Sequence, residues 1–424
     1  MKDKFKRPLN METVKIKKSQ VLAYLASKSN AQYSRTNFDH FLTSVGFKFK
    51  KEAIHITGTN GKGSVAYFLS TTLINGGYKV GRFVSPSLHT PFEMISINDI
   101  DIDEDTFQTY LNKYKAKFEE FALTAFEIIS FIAFCYFDDQ KIDIAIIEVG
   151  MGGKIDATNI FKPILSIITN VSLEHVTFLG KTIKEIATHK AGIIKRKVPI
   201  LVGDLNFEAF SVIANVAMKK EAPLYSVKKA SNVRVSPLGI CFDALDYKDI
   251  CLSIPAVYEA DNVSIVLNAL ELISAKFKLK SEVIFASLKS VKIPARFSVI
   301  RQKPLVIVDG AHNPAAMAAL INSVKALQNS KIHLVFASFK DKDVEKEFDL
   351  FALANAEVTL TTFDHTRART EEDYLVHGYE YCRDYLEAIR VTIKKAKEDE
   401  VVLITGSLHF AMMVFEDFSR GVLS

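Results

Sequence analysis

Cysteine is scarce in this chain, with four residues in 424. Cys135, Cys241, Cys251 and Cys382 have no CxxC spacing, so they suggest neither a zinc site nor a disulfide framework and fit a reducing cytoplasm. A long apolar run is missing too. The most apolar stretch, 126–137, contains Glu127 and falls far short of the roughly 20 residues that cross a bilayer, so no membrane span is expected. Nor does one sign of charge dominate: 54 basic and 49 acidic side chains leave a formal net charge of +5, too small and too evenly spread to imply nucleic acid. The exception is the basic N-terminal segment, Lys2, Lys4, Lys6, Arg7, Lys15, Lys17 and Lys18. No apolar stretch follows it, and it reads as a solvated arm and helix face rather than an address label.

What is present is the balance of a soluble globular protein, 48% hydrophobic and 24% charged, in a chain too long for one ordinary core. Two domains are expected, 1–293 and 294–424, with the boundary near Pro294. Short β-rich runs alternate with helical patterns, the signature of an α/β fold with a parallel sheet. The first series is 53–57, 80–84, 142–149 and 164–171; the second is 305–308, 332–336, 358–361 and 401–404. Between 222 and 255 lie short strand-like pieces (233–235 and 240–242), read as a small β insertion. The expected fold is therefore a P-loop-type, mostly parallel sheet domain with a β insertion, followed by a Rossmann-like α/β domain. Thr57-Gly58, Ser85-Pro86, Glu148-Val149-Gly150, Thr169-Asn170, Asp309-Gly310 and Gly406-Ser407 all fall at strand C-terminal ends, the edge where open parallel sheets bind ligands.

The segment Gly58-Thr59-Asn60-Gly61-Lys62-Gly63-Ser64 joins the first strand to a helix patterned on Val65, Phe68, Leu69, Thr72 and Leu73 and stopped by Gly76-Gly77. Backbone N–H groups, a helix dipole and one lysine in this arrangement suit a nucleoside triphosphate. The spacing departs from the common Walker form, because the first glycine is three positions before Gly61 and Gly63 separates Lys62 from Ser64. A glycine-rich turn without phosphate is the plain alternative. Glu148 ends an apolar strand and offers the hard oxygen that magnesium requires. His175, in a loop with Asn170, Ser172 and Glu174, would ordinarily serve as a hydrogen-bonding residue, Lys190 as a solvated lysine on a surface helix, and Phe126 as part of an apolar core face.

The loop, written ITGTNGKGS, resembles that of folylpolyglutamate and dihydrofolate synthases in the Mur ligase superfamily. The resemblance continues through FVSPSL (83–88), LTAFE (123–127), EVGMGGKIDATN (148–159), SLEH (172–175), HKAGIIK (189–195), PARF (294–297), DGAHNP (309–314), DKDVE (341–345) and GSLHF (406–410), in the family's order over nearly the whole chain. It implies an ATP-dependent ligase that phosphorylates a substrate carboxylate and lets the amine of L-glutamate attack the acyl phosphate. The carboxylate would be that of dihydropteroate or of a folate's terminal glutamate, and both activities are expected in one chain. By the same resemblance Lys62, His175 and Lys190 are catalytic, Lys190 as a carbamate, and Ser85, Glu148 and His175 surround Mg2+. Asn262, Arg296 and Asp309 join the loop in binding ATP. Leu123, Thr124, Phe126, Ile155, Asp156 and Ala157 line the pterin side, and His312 and Ser407 hold glutamate. A monomer that takes only small-molecule substrates is implied.

Departures from the family pattern bear on substrate choice. Ser87 stands for a histidine, Met94 for an arginine, Tyr258 and Glu259 for His-Gln and His189 for an acidic residue, and a Gly-Leu-Glu-Arg segment near 33–40 is not recognisable. A muropeptide ligase with the same ATP chemistry, and a nucleotide-dependent switch without ligase activity, are the competing readings.

Overall fold

The computed structural model describes residues 20–29, 33–87, 90–327, 331–342, 344–374 and 378–423; the basic segment 2–18 lies outside them. Chain order gives strands β1 (Glu52–Thr57), β2 (Val80–Phe83), β3 (Ile95–Ile97), β4 (Ile100–Asp101), β5 (Ile144–Glu148), β6 (Leu165–Ile168), β7 (Ile200–Val202) and β8 (Leu224–Ser226). These form one sheet in the order β4-β3-β2-β5-β1-β6-β7-β8. β3 and β4 are antiparallel additions at one edge; from β2 to β8 every pairing is parallel. Alternation along the strands supplies two buried faces, as a parallel sheet requires. Ile54, Ile56, Ile144 and Ile146 pack with the helices Lys62–Asn75 and Val257–Ile273, while Ala53, Ala145 and Ile147 face the aromatic-rich helix Ala125–Asp139.

β9 (Ser231–Ser236), β10 (Gly239–Ala244) and β11 (Tyr247–Leu252) make the small antiparallel insertion read from the sequence. Its register sets Cys241 opposite Cys251, and the two are joined in a disulfide. This corrects the expectation that no cysteines pair: a separation of ten residues across a tight hairpin brings them face to face, which spacing rules for disulfide frameworks do not detect.

The second sheet contains β12 (Ser298–Gln302), β13 (Leu305–Val308), β14 (Ile332–Phe336), β15 (Glu357–Thr361), β16 (Glu380–Cys382) and β17 (Val401–Thr405), ordered β12-β13-β17-β14-β15-β16 and parallel except for β12. Leu305, Ile307, Val401 and Leu403 share one continuous core with the first sheet, through the helices Val257–Ile273 and Pro314–Ala326; Val306, Val308, Val402 and Ile404 pack on the opposite face. The two sheets are thus cemented along one side, with their ligand-binding edges turned to a common cleft.

The aromatic layer beneath the first sheet is closely packed. Phe131 is fully buried, with ring centroids 4.7 Å from Phe41, 5.1 Å from Phe47 and 4.9 Å from Tyr114. Phe131→Ala should lower the unfolding free energy by about 3–5 kcal/mol, through lost burial and the cavity left behind. Urea titration checks this, and a loss under about 1 kcal/mol would show that the layer collapses to fill the gap.

Candidate active site

The cleft between the sheets is a cavity of about 1120 Å³. Its floor is the phosphate loop. Gly58 (φ 154°) and Gly61 (φ 81°) adopt backbone conformations that L side chains rarely take, and each is crowded as well. A Cβ on Gly58 would stand 1.8 Å from Thr169 Oγ1, and one on Gly61 2.3 Å from Asn262 Oδ1. Gly61 caps the helix Lys62–Asn75, so the start of that helix and the positive end of its dipole face the cleft, while the N–H groups of Thr59 and Asn60 are held by Asn170. The Lys62 ammonium donates to the carbonyl oxygens of Gly58 and Thr59, both at 3.0 Å. Gly63 lies beside Glu148, where a Cβ would stand in ordinary contact, 3.7 Å from Glu148 Oε2.

Glu148, at the end of β5, is 4% exposed, and its Oε2 accepts from Ser85 N at 3.2 Å. Burial pushes its carboxyl up to about 7, against the opposing charges of Lys62 and Arg296. His175 lines the same cavity and has φ 46°; burial lowers its pKa, and the neighbouring Glu174 opposes that shift. Among the described residues no three His, Cys, Asp or Glu side chains converge to hold a metal ion by themselves. A site made from Glu148 and Ser85 therefore needs oxygens from a phosphate ligand, the mode magnesium favours.

Lys190 is not a solvated surface lysine. Its side chain is fully buried at the end of the helix Ile183–Lys190 and pairs with Glu174 at 2.7 Å. Burial pulls the ammonium below the usual lysine range, although the charge of Glu174 opposes it. Lys190 itself does not reach the cavity wall, whereas Glu174 does. The sequence reading treated Glu174 merely as polar surroundings; its position, sixteen residues before a lysine it pairs with, has no local pattern that would have revealed it.

On the pterin side, Thr124 and Glu127 form a reciprocal helix cap, Thr124 N and Oγ1 donating to Glu127 Oε2 at 2.8 and 2.7 Å. Phe126 lines the cavity with its ring packed over Gly150, while Leu123 is fully buried in the aromatic layer. Leu123 therefore serves packing and does not line the cleft. Ile155 and Ala157 line it, as does Asp156, whose carboxylate is occupied by Met151 N, Thr158 N and Thr158 Oγ1 and so shapes its own loop. Tyr33 and Arg35 were not recognised from sequence, yet they reach this loop: Tyr33 OH bonds Ile155 O, and Arg35 donates to Asp156 O at 2.8 Å.

Facing the loop, the helix Val257–Ile273 brings Glu259, fully buried, against Ser64 Oγ (2.7 Å) and Asn262 Nδ2 (2.8 Å). Arg296, His312 and Ser407 line the wall contributed by the second sheet. His312 Nδ1 lies 2.9 Å from Gly310 O, so it carries the hydrogen; burial lowers the ring's pKa to about 4 and leaves a neutral imidazole with its Nε2 lone pair free of a proton. Ser407 caps the helix Leu408–Ser419. Asp309 lines the cavity but already accepts from Tyr258 OH, Phe297 N and Ala311 N, all at 2.8 Å, so much of its capacity is spent on the turn that holds it. His365 and Arg367, beyond the end of β15, also line the cleft and were missed; the strand-end rule applied to Thr361 would have found them.

Residues 56–264 match the Mur ligase middle domain and residues 295–408 the Mur ligase glutamate ligase domain. With a phosphate loop, a buried carboxylate beside it and a second α/β unit across the cleft, the chain is a Mur-type ligase, an ATP-dependent enzyme that forms amide bonds. The dihydrofolate synthase/folylpolyglutamate synthase of Bacillus subtilis is 33% identical over 382 residues, 85% of this chain and 89% of that protein. The folylpolyglutamate synthase of Lacticaseibacillus casei is 32% identical over 386 residues, 87% of this chain and 90% of that one. The structure of Mycobacterium tuberculosis folylpolyglutamate synthase complexed with ADP and AMPPCP has a TM-score of 0.86 at 26% identity, covering 96% of this chain and 99% of that chain. The chain belongs to the dihydrofolate synthase/folylpolyglutamate synthase family.

Glu259 yields a test of the site's electrostatics. Burial raises its pKa above the ordinary carboxyl value, despite hydrogen bonds from Asn262 and Ser64 that lower it. The stability of its neutral form is thus fully present below the unfolded pKa and is lost as pH rises through the folded one. Glu259→Gln has no charge to bury, so its Tm should match wild type in acid and exceed it increasingly toward neutral pH. Parallel Tm curves for the two proteins across that range would refute the assignment.

Proposed function

We propose that this enzyme joins L-glutamate to dihydropteroate and to folates, using ATP and releasing ADP and phosphate by way of an acyl phosphate. The supporting observation is the single cavity in which the phosphate loop, the Phe126 and Ile155 side and the His312 and Ser407 side meet. Three reactants need three such walls around one reacting carbonyl.

In this reading Lys62 leaves its loop carbonyls to stabilise charge on the transferring phosphoryl group, and Arg296 adds a second cation from across the cleft. Ser85 and Glu148, with His175, would hold magnesium, which supplies charge neutralisation at the phosphates. The neutral His312 offers Nε2 to the incoming amine, and Ser407 lies beside it. Phe126 presents a flat ring on the acceptor side, where a heterocycle can stack. Residues 1–293 act as the nucleotide-binding domain and 294–424 as the glutamate-ligase domain. The enzyme would work as a cytoplasmic monomer, one chain providing every wall of the site.

Radiolabelled glutamate incorporation, assayed separately with dihydropteroate and with tetrahydrofolate, tests the reading; label in both products supports two activities. Incorporation with neither, combined with turnover of a UDP-muropeptide, would replace it. Lys62→Ala should cost about 10²-fold or more in kcat.

Lys190 is proposed to carry a carbamate. Burial pulls the Lys190 ammonium down to about 8; once deprotonated, the amine can add CO2 through nitrogen and release a proton, giving an anion that replaces the ion pair with Glu174 and needs a cation in the site to balance it. Intact mass at high bicarbonate should show the added carboxyl, and Lys190→Ala should lose activity that small carboxylic acids in part restore. Unmodified lysine together with full activity of the variant would eliminate the carbamate.

A further inference from the structure

Asn60 occupies the centre of the phosphate loop, and the two residues that follow β6, Thr169 and Asn170, fix its backbone. Its N–H donates to Asn170 Oδ1 at 2.9 Å, and its carbonyl accepts from Thr169 Oγ1 at 2.6 Å and Asn170 Nδ2 at 3.0 Å. Its side chain reaches away from that sheet and across the cleft to Asn313. The two amides pair reciprocally: Asn313 Nδ2 donates to Asn60 Oδ1 at 2.9 Å, and Asn60 Nδ2 to Asn313 Oδ1 at 3.2 Å. Asn313 is 6% exposed and caps the helix Pro314–Ala326, its Oδ1 also accepting from Ala316 N at 2.9 Å. That cap fixes which end of the Asn313 amide is oxygen, and the pairing then fixes the orientation of Asn60. Nearby, Tyr258 OH on Asp309 Oδ2 ties the other end of the same turn, 309–313, to the helix Val257–Ile273. His312 lies between these two attachments.

We propose that the Asn60–Asn313 amide pair is the coupler that transmits occupancy of the phosphate loop to the turn carrying His312, with both asparagines acting as positioning residues. The inference rests on the ligase reading for its catalytic consequence but not for its structural one. Phosphate bound by the loop adds to the bonds that already hold the Asn60 backbone; the steadied side chain then holds Asn313, and through it the 309–313 turn, in register with the reacting carbonyl. Without the pair, the acyl phosphate forms while the amine side is misplaced. Water then attacks the acyl carbon, the C–O bond to phosphate breaks, and carboxylate and inorganic phosphate leave without an amide.

The test uses full-length enzyme with Asn60→Ala, Asn313→Ser and the double variant, since serine keeps an oxygen for the helix cap but has no amide donor. Phosphate release and glutamate incorporation are measured in the same reactions. Each single variant should lower kcat for incorporation about tenfold, the size of one lost hydrogen-bonded pair, with more than one phosphate released per amide and, in Asn313→Ser, the KM for ATP little changed. The double variant should be no worse than the poorer single one. Additive losses, or a ratio that stays at one, would overturn the proposal. A second measurement does not depend on ligase activity: hydrogen exchange with and without magnesium AMPPCP. In the wild type the nucleotide should protect both 58–64 and 309–313; in Asn60→Ala only the loop should be protected. Equal protection of the turn in both proteins would also overturn the coupling, and wild type that incorporates no glutamate but shows this pattern would retire the ligase reading alone.

Discussion

Strand register governs this molecule. Ile56 pairs with Glu148 and Thr57 with Ile168, so β1, β5 and β6 finish side by side, and whatever follows each strand emerges within a few ångströms of its neighbours. The phosphate loop, the Glu148 carboxylate and the Thr169-Asn170 pair meet because of that alignment. A slip of one residue would turn Glu148 to the other face and put Ile147 in its place. The loop tolerates the resulting crowding only because its tightest points are glycines, which bring backbone against Thr169 and Asn262.

Charge in the cleft is arranged as buried acids, two of them opposite cations that reach in from elsewhere and the third against neutral hydrogen-bond donors. Glu148 faces Lys62 and Arg296; Glu174 holds Lys190; Glu259 sits under Ser64 and Asn262. Left alone, each acid would be an expensive desolvated group. Together they form a site whose polarity is fixed by the fold before any reactant enters, which is how protein dipoles and charges lower a barrier without reorganising.

Much of this was legible in the sequence. The strands Leu305–Val308 and Ile332–Phe336 were read with their observed ends, since apolar β-branched runs bounded by polar turns leave little choice. The loop and Glu148 were legible because their chemistry is local: glycines, one lysine and a carboxylate at a strand end. What could not be read depends on partners distant in sequence. Lys190 looks solvated until Glu174 is placed against it, and Leu123 looks like a cleft residue until the aromatic layer closes over it. Cys241 and Cys251 become a pair only through hairpin register. Tyr33 and Arg35 lie in a segment with no recognisable motif, and their importance comes from the carbonyl groups of a loop more than a hundred residues away.

The contact between the phosphate loop and the second sheet is made by two neutral amides, not by an ion pair. Counterions at cellular salt weaken the attraction between exposed charges, but they have little hold on a pair with no net charge, one member of which is almost wholly buried. Ionic strength will therefore act on how firmly anionic substrates enter the cleft and far less on how the two halves are aligned once they are there. An enzyme that handles polyanions is in this way spared from having its geometry titrated by its own ligands.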